Sequence, residues 1–558
     1  MDDSSGAVAK KLEEIRRAGE EREAQRRAEK LKVPYADLGK TPVSIEAVAL
    51  IPEAEARTAE AIGIQLKDHE VAVVFFDPTT EEAKKLITDL SAKKYVVKPF
   101  VVSKSALKQA WSYYKFISGE KEVITGKVAI DQINFTEQLK KFTNFQAVEA
   151  AMTALDYGHE SVAALLEIIL AGALATRASD IHFEAEEKSS RIRYRIDGLL
   201  HDISTGVPKK NYESLVSRIK LLCNMKLNIH SEPQDGRFTI KLEAKEIEMR
   251  VSIIPSEFGE TIVMRILDPA GINVTLPQLG LRDDDLGMVE KELSRPNGLI
   301  LNTGPTGSGK TTTLYAFLRK LVNPEVKIIT VEDPIEYRIQ GIEQTQVDPS
   351  AGYTFAGGLR AIVRQDPDAI LVGEIRDLET ADIALQASLT GHLVLSTLHT
   401  NSAVGAVPRL VDLGVKPASI GPALTLIIAQ RLVRKLCDDC KKPVEMTPEL
   451  KEKLDKFMAG LPARVDKTKY ANITIFAPAG CEVCNHFGYK GRRGIFEFFK
   501  GGPDLEEIIL KEVSERALRE LAKKQEMVTM QEDGILKVLT GMTTFEEVES
   551  VTGPIEWE

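Results

Sequence analysis

Residues Gly304-Pro305-Thr306-Gly307-Ser308-Gly309-Lys310-Thr311-Thr312 contain the pattern G-x-x-x-x-G-K-[ST], between an apolar strand-like run and a helix-compatible run, Thr312 to Leu321. The chemistry of phosphate binding demands these residue types. Glycines let successive backbone N–H groups converge on phosphate oxygens with no Cβ in the way, and the following helix aims its positive amino terminus at the same anion. In such a loop Lys310 reaches the β- and γ-phosphates of ATP and the Thr311 hydroxyl ligates Mg²⁺. A loop of this kind also needs a carboxylate at a strand end. Asp368-Ala369-Ile370-Leu371-Val372-Gly373-Glu374 is an apolar strand whose glycine lets the backbone approach a nucleotide and whose Glu374 is placed to orient or deprotonate water. Ile328 to Glu336 is a second such strand, ending in Glu332, Asp333 and Glu336 around Pro334. Clustered carboxylates at the carboxyl edge of a parallel sheet are costly unless they face a cation.

Two further groups carry chemistry. Cys437-Asp438-Asp439-Cys440 and Cys481-Glu482-Val483-Cys484 are C-x-x-C knuckles 40 residues apart, and four thiolates so arranged can close a tetrahedral Zn²⁺ site. The separation exceeds that of a zinc ribbon, so Lys441 to Gly480 must form its own excursion. A closed four-ligand site is structural, and a cytoplasmic disulfide pair is the less favoured alternative. The fifth cysteine, Cys223, lies in an apolar helical run and reads as a small buried hydrophobe. Phosphoryl transfer also spreads negative charge that arginine can hold bidentately, and Arg193, Arg195, Arg250 and Arg265 cluster upstream of the phosphate loop.

In chain order, the Lys310 loop is followed by Glu332-Asp333-Pro334-Ile335-Glu336, Gly373-Glu374-Ile375-Arg376-Asp377 and Gly391-His392 through His399-Thr400-Asn401. This order resembles the Walker A, Asp box, Walker B and His box of the type II/type IV secretion ATPase superfamily. Ala178 to Glu184 and Tyr194 to Gly198 resemble that family's preceding domain, so the likeness runs from about Ala178 to Arg493. It implies a homo-hexameric ring of RecA-like domains that hydrolyses ATP between subunits and drives an inner-membrane platform protein, with a cytoplasmic secretion or pilus adaptor as a further partner. Carried over by position, it makes Lys310 and Thr311 the phosphate and Mg²⁺ contacts, leaves the water-activating base open between Glu336 and Glu374, and has His392 and His399 sense the γ-phosphate or transmit its loss. In such rings the upstream module leans over a nucleotide, which singles out Arg195 and Arg250, while Arg360 and Arg364 suit subunit packing. The cysteine pairs and the long upstream region, together with Gly488 to Glu497, imply an assembly or secretion motor rather than a retraction motor. Type IV pilus assembly is preferred over type II secretion. Residues 1–60 show no convincing copy of the Arg/Gly/Leu-patterned repeats with which some assembly motors bind a cyclic dinucleotide, so that ligand is not expected.

The elements that must position these groups are of the α/β class. Residues 1–33 suit a charged, exposed helical arm. Residues 34–117 read as a small α/β module that binds a partner, with strands at Val71–Phe76 and Lys94–Val102 around a helix from Thr80 to Ala92. A linker is expected over 118–148. Residues 149–272 read as an α+β, PAS-like domain with a mixed antiparallel sheet, its turns marked by Asp197-Gly198 and Asp235-Gly236. From 273 to 558 the strand–helix alternation becomes that of a parallel RecA-like sheet, with strands at Gly298–Asn302, Val326–Val331, Ala369–Gly373 and Leu393–Thr397, a metal insert at 437–484 and C-terminal helices.

Composition excludes several classes. The 558 residues, 43% hydrophobic and 28% charged, imply about three to five domains of a globular protein. Net charge of −10 and the lack of an aromatic–basic stripe argue against nucleic acid as a partner, the rival reading being a DNA-transferring RecA-like ring. No apolar run reaches the ~20 residues of a membrane span, and Met1–Ala9 lacks the apolar centre of a signal peptide. A cytoplasmic protein, associated only peripherally with the inner face of the plasma membrane, is expected.

Overall fold

In the computed structural model, which describes residues 3–116, 132–158, 162–242, 245–269, 274–470 and 473–557, the chain divides into two units, Met1–Leu267 and Asp268–Glu558. The first unit begins with a three-stranded sheet. Strand β1 (Ala61–Lys67) pairs antiparallel with β2 (Glu70–Phe75), and β2 pairs parallel with β3 (Val96–Val101). The β2–β3 crossover is the helix Glu81–Ala92, capped by Thr80, which accepts the Ala83 N–H at 3.2 Å. The preceding helix, Asp3–Leu31, is not the solvated arm its charge suggests. Ala24 and Ala28, one turn apart and small enough for close approach, are buried. Glu21 accepts from the Ser103 hydroxyl at 2.6 Å, and Glu20 from the Ser105 N–H at 3.2 Å. Of the stretch expected as linker, 117–131 lies outside the described residues, whereas Gln132–Lys141 is helical.

The second sheet of this unit is wholly antiparallel, in the order β6-β5-β4-β9-β8-β7. Its strands are β4 (Asp180–Ala185), β5 (Ser190–Ile196), β6 (Leu199–Val207), β7 (Gln234–Lys241), β8 (Glu246–Ser256) and β9 (Gly259–Leu267). Period-two alternation buries Ile181, Phe183, Ile192, Tyr194, Met249, Val251 and Met264 on one face. The helices Val162–Ala175 and Lys209–Leu222 complete that core, and the buried Tyr194 hydroxyl donates to the Ile169 carbonyl of the first. Asp197-Gly198 forms the expected two-residue turn, both residues at positive φ (48° and 95°). Asp235-Gly236 does not turn the chain; it lies inside β7, opposite Ser252 and Val251. Glycine is needed there for close approach, since a Cβ on Gly236 would fall 2.8 Å from the Cys223 Cβ and the Met225 methyl.

The second unit is built on a seven-stranded sheet in the order β12-β11-β13-β14-β10-β15-β18. Strands β10 (Gly298–Thr303), β11 (Ile328–Glu332), β12 (Glu343–Gln346), β13 (Ala369–Val372), β14 (Leu393–Leu398) and β15 (Leu424–Leu436) are parallel. A small hairpin, β16 (Lys442–Val444) and β17 (Ile475–Ala477), intervenes before β18 (Tyr489–Lys500) closes the edge antiparallel to β15. Every residue of β10, β11, β13 and β14 is buried, as strands covered on both faces must be. Alternate residues feed two cores. Ile300, Ala369, Leu371 and Leu395 meet Leu314, Phe317 and Leu318 of the helix Lys310–Leu321, while Leu299, Leu301, Ile370, Val372 and Val394 meet the helices Phe355–Val363 and Leu378–Leu389. Among the described residues no helix is long and apolar enough to cross a membrane.

Candidate active site and cysteine centre

Strand β10 delivers the phosphate loop at its carboxyl end. Gly304, Gly307 and Gly309 have φ of 152°, 80° and 89°, values that favour glycine. Space also requires it at two of them, since a Cβ on Gly304 would lie 2.6 Å from the Gln430 carbonyl oxygen and one on Gly309 2.8 Å from Gln430 Nε2. Lys310 opens the helix and folds its ammonium back onto the Gly304 and Pro305 carbonyls, at 2.7 and 3.0 Å. Burial holds this ammonium below the ordinary lysine value, Glu374 opposes that shift, and Arg431 adds to it. Pro305, Thr306, Gly307 and Thr311 are exposed, and Ser308 is buried with a hydroxyl that has no hydrogen-bond partner in the protein.

Strand β13 delivers Glu374, one residue past Gly373. Its carboxylate is largely covered, with Oε1 at 2.5 Å from Arg376 and Oε2 at 3.6 Å from His399 Nε2. Burial and then the Lys310 charge lower the His399 pKa from 6.5, so the ring is neutral at pH 7. Strand β14 lies between β13 and β10 and ends just before His399. The Thr400 N–H donates to Thr303 Oγ1 at 2.8 Å, which stitches the His399 loop to the base of the phosphate loop. Lys310, Glu374 and His399 therefore converge at one edge of the sheet.

His392 does not join them within the chain. It precedes β14, at the opposite end of the strand, where its carbonyl accepts the Gly298 N–H and its Nδ1 lies 3.0 Å from the Ala387 carbonyl. Glu336 stands half-buried on the loop beyond β11, one strand over from Glu374. The third acid of that cluster is structural: Glu332 is buried and accepts from the Tyr315 hydroxyl, Thr330 Oγ1 at 2.6 Å and Gln344 Nε2 at 3.1 Å.

Arg195 and Arg250 belong to the first unit, on the polar face of its antiparallel sheet. Strand register places Arg195, Asp180, Arg265, Arg250 and Arg237 side by side in one row. Asp180 takes Arg195 at 3.4 Å and Arg265 at 3.2 Å, Arg250 lies 3.3 Å from Glu248, and Arg193 pairs with Glu184. Sequence reading missed Arg237 because it follows Asp235-Gly236, which reads as a turn.

The sulfur atoms of Cys437, Cys440, Cys481 and Cys484 lie within 4.8 Å of one another. The separations Cys437–Cys481, Cys440–Cys484 and Cys481–Cys484 are 3.9, 3.8 and 3.7 Å. Tetrahedral Zn²⁺ with bonds of about 2.3 Å sets its sulfurs about 3.8 Å apart, so the donor set fits zinc. Burial pushes the Cys437 thiol up to about 12, whereas N–H groups of Cys481 and Gly488 outweigh burial at Cys484 and bring it down to about 7. The intervening excursion does not pack by itself: Leu454, Leu461, Val465 and Ile475 share a core with Ile535, Leu536 and Val548 of the C-terminal helices. Cys223 is a buried free thiol pushed up to about 12, an inert core residue.

Comparison with known proteins agrees with this geometry. Residues 156–550 match the family model described as type II/IV secretion system protein, and residues 31–116 match the MshEN domain. The type II secretion system ATPase E of Vibrio cholerae is 46% identical over 70% of this chain and 75% of its own length. The type IV pilus assembly ATPase PilB of Myxococcus xanthus is 37% identical over 94% of this chain and 89% of its own. In fold, the chain is similar to the Legionella pneumophila ATPase DotB, with a TM-score of 0.51 at 22% identity over 71% of this chain and 97% of that one.

Proposed function

The chain belongs to the type II/IV secretion system protein family, and on that premise we propose that it is a Mg²⁺-dependent ATPase motor that powers type IV pilus assembly or type II secretion. The observation that carries the reading is the convergence of Lys310, Glu374 and His399 at the end of β10, β13 and β14. Residues Gly304–Thr312 would hold the triphosphate and Thr311 the Mg²⁺, which neutralises charge on the phosphates. Lys310 would exchange its two carbonyl partners for phosphate oxygens. With Oε1 of Glu374 engaged by Arg376 and Oε2 3.6 Å from His399 Nε2, Oε2 is the oxygen that would take the proton of the attacking water. This favours Glu374 over Glu336 as the base.

Pilus assembly ranks ahead of secretion because the similarity to the Myxococcus xanthus pilus ATPase extends through the first unit, whereas the Vibrio cholerae ATPase aligns over 70% of the chain. In this reading the motor is a hexameric ring at the cytoplasmic face of the inner membrane, it acts on a membrane platform protein, and the arginine row carrying Arg195 and Arg250 faces phosphate in the ring. The MshEN module holds a pilus or secretion adaptor, and the four cysteines hold one structural Zn²⁺. The test is steady-state ATP hydrolysis by the purified protein with Mg²⁺, alone, with the platform protein's cytoplasmic domain, and with single-stranded DNA. Stimulation by the platform domain is expected. Stimulation by DNA alone would replace the cargo with nucleic acid.

A further inference from the structure

We propose that Arg431 is a second phosphate-contacting cation of the site, one that separates nucleoside triphosphate from diphosphate. The inference rests on the reading of Gly304–Thr311 as the nucleotide loop.

Register puts Arg431 there. Strand β15 runs parallel to β10 with Ala429 opposite Thr303, so Gln430 and Arg431 continue past the end of β10 alongside the phosphate loop. Gln430 is fixed beneath that loop: its Oε1 accepts from Asn302 Nδ2 at 3.1 Å and from Thr313 Oγ1 at 2.8 Å. The next side chain, Arg431, reaches instead toward the loop that follows β14. Its Nη2 donates to Asn401 Oδ1 at 3.2 Å and to the Asn401 carbonyl at 3.4 Å, and its Nη1 to its own strand's Gln430 carbonyl at 3.3 Å.

These are long bonds to neutral acceptors. Other part-buried arginines of the second unit hold carboxylates directly: Arg282 takes Asp285 at 2.5 Å and Arg434 takes Glu547 at 2.5 Å. Among the described residues no carboxylate forms an ion pair with Arg431. The counter-charge it feels is the buried Glu497, whose oxygens are engaged by the N–H groups of Ala403 at 2.6 Å and Met530 at 3.2 Å. Lys310 is in the same condition, with only carbonyl partners, and its ammonium feels the Arg431 charge. Two half-buried cations without carboxylate pairing, both placed by strand register past the end of β10, repel one another until an anion joins them. A diphosphate is within reach of Lys310; the additional phosphate of a triphosphate supplies the charge for Arg431. Asn401 lies two residues beyond His399, so engagement of Arg431 is felt on the loop that meets Glu374.

The experiment is equilibrium binding to the purified full-length chain of Mg²⁺ with ADP and of Mg²⁺ with a non-hydrolysable β,γ-imido ATP analogue. Arg431→Ala is expected to weaken the triphosphate analogue about tenfold or more, the scale of a lost charge-assisted contact, with ADP changed less than about threefold. Arg431→Gln keeps an N–H donor for Asn401 without the charge and should show the same split, while Arg431→Lys should recover part of it. Equal losses for both nucleotides, or no loss for either, would overturn the proposal and leave Arg431 a packing residue. Binding of neither nucleotide by the unsubstituted chain would overturn the nucleotide reading itself, and this inference with it.

Discussion

Glu374→Gln separates binding from turnover. The substitution keeps the size of the side chain and an oxygen for Arg376, which is 63% exposed, so the lost ion pair costs at most about 1 kcal/mol of stability. The amide cannot accept the proton of the attacking water. A positioned general base contributes about 10²–10⁴ in rate. His399, neutral and 3.6 Å from Oε2, retains a lone pair that takes over part of the role, so the expected loss in kcat is about 10²–10³, or roughly 3–4 kcal/mol of transition-state stabilisation. Removing a negative charge beside the triphosphate leaves nucleotide affinity unchanged or tighter. Phosphate-release kinetics give the turnover, and equilibrium binding of a fluorescent ATP analogue with Mg²⁺ gives the affinity. Turnover within threefold of the unsubstituted chain would refute the assignment, and Glu336→Gln would then have to show the loss.

Lys310→Ala removes the ammonium now folded onto Gly304 and Pro305, and should lower affinity for Mg²⁺ATP at least tenfold by calorimetric titration; unchanged binding would contradict the loop's role. Metal analysis should find one Zn²⁺ per chain, lost in Cys484→Ser together with thermal stability of the 437–484 excursion, and under half an equivalent in the unsubstituted chain would remove the metal. Asp533→Ala strands the buried Lys537 and takes from Arg282 one of its three carboxylates, at a cost of about 3–5 kcal/mol, or roughly 6–10 °C in the unfolding midpoint; a change below about 1 kcal/mol would mean the network is dispensable. His399 has a folded pKa below 6.5, so acidification through that lower value turns the ring into a cation near Lys310 and turnover should fall, whereas His399→Gln should lack this acid limb; superimposable kcat–pH profiles would refute it.

The glycine turn of Gly304–Gly309, four central strands and the two cysteine knuckles were legible in the sequence because each is local. A continuous apolar run, a glycine pattern or a C-x-x-C knuckle carries its own geometry. Sheet edges are not local. His392 and His399 fall within one motif, but the six residues of β14 between them span the sheet and leave the two rings at opposite ends. Strand β12, Glu-Gln-Thr-Gln on an edge, has no apolar pattern to announce it. Arg431 and Gln430 are 120 residues beyond the loop they flank, and only the Thr303–Ala429 register brings them there. The one trace in the sequence is the apolar run ending at Ala429, followed at once by Gln-Arg.

The same limit applies to the buried charges, and they decide how the unit holds together. Asp533 is fully buried, yet its carboxylate accepts from Arg282 at 2.7 Å, from the Phe496 N–H at 2.8 Å, and from Lys537. Glu497, the next residue along β18, takes the Met530 N–H, so the helix Met530–Leu539 is fixed to that strand at two points within one turn. Arg282 also holds Asp284 and Asp285, and Arg464 of the cysteine-bearing excursion binds the same two. Desolvated charges of this kind are costly in any arrangement that leaves one partner out. The network therefore selects a single docking of excursion, helix and sheet rather than adding indiscriminate adhesion. Glu497 extends the selection to the phosphate end, because its other oxygen holds the Ala403 N–H, four residues past His399. A displacement of the His399 loop must either carry β18 and the C-terminal helix with it or leave a buried carboxylate short of a donor. The second course is the more expensive, so the catalytic edge and the cysteine-bearing excursion are expected to move as one body.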